Sequence, residues 1–101
     1  MSSIQTAEKE VIRAEILEML SIAGGDGCGE KVLKAALKKS GYGLSEEDVL
    51  RQLSYLKEKG LVRTVEVKNP RLGIRRTIAY ITAAGMDCLE GNGGEITGVG
   101  E

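Results

Sequence analysis

Between residues 6 and 91 the apolar spacing changes in an order that few folds can accommodate. Ile12, Ile16, Met19, Leu20 and Ala23 recur on one helical face and predict a helix over 6–23, with Thr6 as its N-cap. The glycine-rich run GGDGCG at 24–29 ends it. Val32, Leu33, Ala36 and Leu37 form the stripe of a second helix over 30–40, and Gly41-Tyr42-Gly43 then breaks the period. Ser45 restarts it as a hydroxyl cap, with Glu46, Glu47 and Asp48 at the positive end of the helix dipole and Leu44 placed to staple onto Val49. This third helix runs to about Lys59 and stops at Gly60, with Val49, Leu50, Leu53 and Leu56 as its expected buried face. Alternation through Val65 and Val67 predicts a strand over 62–68, and Ile78, Tyr80 and Ile81 mark a return strand over 75–81. Thr82 can cap a last short helix over 83–89, closed by Gly91.

The order is thus helix, helix, tight turn, helix, hairpin, helix. Two helices joined by a short glycine-containing turn make a helix-turn-helix, and a hairpin directly after it is a wing. The expected fold class is α+β: a winged helix-turn-helix with a three-helix core, a two-stranded β wing and a short C-terminal helix. The domain spans 1–91, and the glycine-rich tail 92–101 is expected to be flexible and acidic. With 101 residues the chain is one domain, and with neither Phe nor Trp its core must be aliphatic.

Charge is unevenly spread. The formal net charge is -1, yet residues 62–76 hold Arg63, Lys68, Arg71, Arg75 and Arg76 against Glu66 alone. Most of these fall in KNPRLGIRR at 68–76, where Pro70 and Gly73 shape the hairpin turn. Edge strands carry bases to discourage pairing, but five against one exceeds that need and points to an anionic partner. Lys31, Lys34, Lys38 and Lys39 gather on the second helix, either as a solvated face or as phosphate contacts.

Other chemistries are poorly served. The chain has no histidine, which excludes imidazole-based triads and zinc sites, and its two cysteines, Cys28 and Cys88, cannot complete a zinc site alone. They read as reduced, partly buried thiols of a cytoplasmic protein. GGDGCG lacks the GK[ST] ending of a phosphate loop; it is a flexible connector or holds a short strand beside the wing, with Cys28 paired to the hairpin. No apolar run is long enough for a membrane helix, and the N-terminus MSSIQTAEKE lacks signal-peptide character. No catalytic site, metal site or cofactor is indicated, so an enzyme is not expected.

VLRQLSYLKEKGLV resembles the recognition-helix segment of winged-helix transcriptional regulators. AYITAAGMDCLEG is similar to the segment where the second wing strand of such regulators meets a last helix, with Thr82, Gly85 and Leu89 at the matching spacing. Val32 to Gly91 followed by a short Gly-Val tail also resembles small proteins of Mu-like phages and prophages. The regulator resemblance implies binding to double-stranded DNA, with the third helix in the major groove and the wing on backbone or minor groove. It implies base or phosphate contacts from Arg51, Ser54 and Tyr55, and backbone or minor-groove contacts from Lys68, Asn69, Arg71, Arg75 and Arg76. It also implies a homodimer, with its seam on the first helix (Val11, Leu17, preceded by Ile4) or the last (Met86, Leu89). The carboxylates of Glu46, Glu47 and Asp48 oppose a phosphate-facing role for that end of the helix, and favour an alternative: a winged-helix protein-interaction module without sequence-specific DNA binding.

Overall fold

The computed structural model describes residues 6–91. Ile4, the Thr6 side chain and the expected tail over 92–101 lie outside the described residues. The chain forms α1 (Thr6–Ala23), a 3-10 turn (Gly24–Asp26), β1 (Cys28–Gly29), α2 (Glu30–Lys39), α3 (Glu46–Glu58), β2 (Val62–Asn69), β3 (Ile74–Ile81) and α4 (Ala83–Glu90). The sheet is antiparallel in the order β1-β3-β2. The wing therefore gains a third strand: Cys28 pairs with Ala79 and Gly29 with Ile78, so the short-strand reading of GGDGCG is the one observed. The helices and this sheet make an α+β winged helix-turn-helix fold.

Local chemistry explains the boundaries. Ser45 Oγ accepts the Asp48 N–H at 3.0 Å, a cap that contributes about 1 kcal/mol. Leu44 and Val49, on either side of that cap, are both buried. Gly60 follows the end of α3 with φ +76°, a left-handed position that glycine adopts without strain. At the wing tip the Leu72 N–H donates to both the carbonyl and the Oδ1 of Asn69, at 3.2 and 3.3 Å, and the Gly73 N–H donates to the Pro70 carbonyl at 3.3 Å. Thr82 caps α4 by accepting the Gly85 N–H at 3.1 Å, and its own hydroxyl donates to the Gly60 carbonyl at 2.7 Å.

The core is aliphatic. Ile12, Ile16, Leu17 and Leu20 of α1 meet Leu33 and Leu37 of α2, Val49, Leu53 and Leu56 of α3, and Val62 and Ala79 of the sheet. Three expectations are corrected here. Leu17 is fully buried rather than available to a dimer seam. The first helix contacts every other helix as well as β3, so its buried face is wider than one stripe. Val32 is 61 % exposed and Leu50 is 36 % exposed, although both were expected to face inward. Charged Glu30 and polar Gln52 are buried instead.

Each buried polar group has a partner. β1 ends at Gly29, and the carboxylate of the next residue, Glu30, accepts the Thr77 N–H of β3 at 2.9 Å. A side chain thus takes over the ladder where the short strand stops, and ties the start of α2 to the wing. Gln52 Oε1 accepts from Arg13 Nε at 2.8 Å, which links α3 to α1.

Candidate nucleic-acid interface

The free face of α3 carries Glu47, Leu50, Arg51, Ser54, Lys57 and Glu58, all exposed at helical spacing. Arg51 is there as expected, but it is not idle. Its guanidinium donates to Asp48 Oδ1 at 2.8 Å, one turn back on the same helix. Any base that Arg51 grips must first take it from Asp48. Ser54 stands on the same face without a hydrogen bond among the described residues. Tyr55 does not join them: it is half-buried and packed against the core. The Arg13 guanidinium lies over its ring at 3.6 Å and the Lys59 ammonium at 5.5 Å. Arg13 therefore grips α3 at Gln52 and Tyr55 together and fixes its rotation about its own axis.

The acids at the start of α3 are partly engaged. Asp48 holds Arg51, and Glu46 lies 4.0 Å from Lys31 of α2, while Glu47 is exposed. The Lys31–Glu46 pair is solvated and the Asp48–Arg51 pair partly so, and each adds little stability. Their effect is on the local field, which they make less negative than three bare carboxylates would be.

The wing carries the positive charge. Glu66 sits between two bases, 2.9 Å from Arg75 and 3.7 Å from Lys68. Arg63 lies over the Tyr80 ring at 4.2 Å, near the wing root. Arg71 and Arg76 are exposed and form no ion pair among the described residues. Asn69 shapes the turn with its carbonyl and side-chain oxygen, so those atoms are committed to the fold. The sites expected from the sequence thus divide among the described residues: Arg71, Arg76 and Ser54 have no partner there, Arg51, Lys68 and Arg75 are ion-paired, Asn69 is structural in part, and Tyr55 is on the inner flank of α3.

Leu50 was missed as a candidate because it matched the core spacing. It stands beside Arg51 on the outer face, where an apolar side chain can meet a thymine methyl group. Its one sequence signal is that Gln52, three residues after Val49, falls on the same helical face as the core positions. Arg13 was likewise missed, since its role depends on a contact 39 residues away.

Cys28 and Cys88 are unpaired, and both pack partly buried against the core. Burial raises the pKa of each thiol, which keeps them protonated at neutral pH and weakly nucleophilic. Among the described residues no cluster of His, Cys, Asp or Glu is arranged to hold a metal ion, and no helix is long and apolar enough to cross a membrane.

No protein-family model and no curated protein matches the sequence. Six solved chains match the fold, among them two described as transcription regulators or factors. One, described as a presumed transcriptional regulator of Thermoplasma acidophilum, superposes with a TM-score of 0.77 at 20 % identity, over 96 % of this chain and 88 % of that one. The other, a PadR-like transcription factor of Bacteroides fragilis, gives 0.72 at 17 % identity, over 92 % and 86 %. At these identities the likeness is one of fold. The resemblance to Mu-like phage proteins gains no support from either structure.

Proposed function

We propose that this protein is a transcriptional regulator that binds double-stranded DNA, with α3 in the major groove and the β2–β3 wing on the backbone or minor groove. The observation that carries this reading is the pair of exposed arginines on the wing, Arg71 and Arg76, that form no ion pair among the described residues, in a chain whose net charge is -1. The fold shared with the two regulators supports it. Arg51 reads a base by exchanging Asp48 for guanine O6 and N7, with Ser54 and Leu50 beside it. Lys68, Asn69 and Arg75 add backbone contacts, and Tyr55 holds α3 at the correct rotation. The role requires no catalysis or cofactor, and it sits in the cytoplasm, where regulators meet DNA.

Enrichment from a random duplex pool tests the sequence-reading part. The parent protein yields a defined motif, and Arg51→Ala loses discrimination at one position, worth about 1–3 kcal/mol. A pool that never converges removes sequence-specific recognition from the reading. The exposed carboxylates Glu46, Glu47 and Glu58 on α3 favour the second reading, a protein-interaction module, which that outcome supports.

We extend the reading to a homodimer, since a twofold protein matches a palindromic site. With Leu17 in the core, Val11 and Ile22 are the exposed apolar residues left on α1, at 45 % and 82 %, and their spacing puts them on one face. A single-chain mass in sedimentation at micromolar concentration contradicts this extension.

A further inference from the structure

The turn between α2 and α3 and the helix before it form a second basic feature, apart from the wing. Lys31, Lys34 and Lys38 are spaced three and four residues apart along α2 and so lie on one flank of it. With Ala35, Leu44 and Glu46 they line a cleft of about 340 Å³ at the start of α3. Lys34 and Lys38 form no ion pair among the described residues, and Lys31 is only 4.0 Å from Glu46, at the limit of pairing. Only Lys38 serves α2 itself, in the last turn, where the helix dipole favours a cation. Like charges at this spacing weaken a helix, and Lys31 sits in the first turn, where the helix dipole already disfavours a cation. Three ammonium groups on one flank, with Lys31 opposed by the helix dipole, suit an anion brought from outside.

We propose that this lysine-lined cleft is a second phosphate-binding site, which takes backbone phosphates of the same duplex at the amino-terminal end of α3. The proposal rests on the DNA-binding reading above. The wing root leaves α3 at its opposite, carboxyl-terminal end, through Gly60 and Leu61. The recognition helix is then flanked by the lysines at one end and joined to the basic wing at the other, and Glu46 of its first turn lies beside Lys31. Lys31 thus offsets Glu46, as Arg51 offsets Asp48, at the end of a helix that approaches DNA. Glu46 lines the cleft and competes with phosphate for Lys31.

Fluorescence anisotropy with duplexes carrying single neutral methylphosphonates tests this. The triple variant Lys31→Gln, Lys34→Gln, Lys38→Gln is compared with Lys39→Gln, which alters an exposed lysine of the same helix outside the cleft. The triple variant lowers the slope of log affinity against log salt by about two to three, and Lys39→Gln leaves it nearly unchanged. Single methylphosphonates at one cluster of positions weaken binding by the parent protein and have no effect on the triple variant. The Arg71→Ala, Arg76→Ala variant still responds to that cluster. Glu46→Gln tightens binding. A triple variant with the parent slope, or one that senses the same phosphates as the parent, overturns the proposal while leaving DNA binding intact. If the parent protein binds no duplex at all, the DNA-binding reading falls and this site falls with it.

Discussion

Replacing Arg71 and Arg76 together by alanine weakens binding to every duplex, whatever its sequence. Both side chains are exposed and neither is held by a carboxylate among the described residues, so their removal disturbs none of the contacts described. Each phosphate contact contributes about 0.9 to the salt slope, so losing two flattens the slope by roughly two and lowers affinity on the order of 50-fold near 0.1 M salt. Arg75→Ala is a less clean test. It also leaves Glu66 with Lys68 as its one remaining partner, and so exposes a carboxylate on the wing. Titrations of the double variant over a range of salt check the expectation. An unchanged slope removes the wing from the interface.

Gly85→Ala has the largest expected effect on stability. Gly85 is buried in the first turn of α4, where a Cβ would collide with the Leu61 carbonyl oxygen and come within 2.6 Å of Ile81 Cγ1. The obstacle cannot easily give way. The Leu61 carbonyl accepts the Thr82 N–H at 3.1 Å, and the Leu61 N–H donates to the Leu56 carbonyl at 3.0 Å. Relief would shift the junction of α3, the wing root and α4 together. Overpacking against backbone costs about 3 kcal/mol, which lowers Tm by roughly 10–20 °C in a domain of this size. Gly25→Ala is the control, since a Cβ there meets nothing within 4 Å. Thermal unfolding followed by circular dichroism measures both. A Gly85→Ala protein that melts with the parent contradicts this packing.

The sequence was most legible where a local rule decides the outcome. The Ser45 and Thr82 caps, the break at Gly41 to Gly43 and the turn at Pro70 to Gly73 need no distant partner, and the elements they bound fall within a residue or two of expectation. Long-range contacts decided the rest. Leu50 and Gln52 exchange places, with the leucine outside and the glutamine inside, because Arg13 of α1 supplies a hydrogen bond to the buried amide. Glu30 is buried because β1 stops one residue short of Thr77, whose N–H needs an acceptor. Leu17 enters the core because α1 is packed on several sides. For the candidate site, residue types were readable but engagement was not. Nothing in KNPRLGIRR says that Arg75 is held by Glu66 while Arg76, its neighbour, is free.

Phosphate-dominated binding to duplex DNA is the central claim, and the salt dependence of the unmodified protein tests it most directly. A mixed-sequence duplex titrated at about 50 and 200 mM salt gives affinities that differ by at least tenfold if several phosphates are contacted. That steep loss is the expected result. No binding at the lower salt contradicts it, and would assign the basic wing to a partner other than DNA.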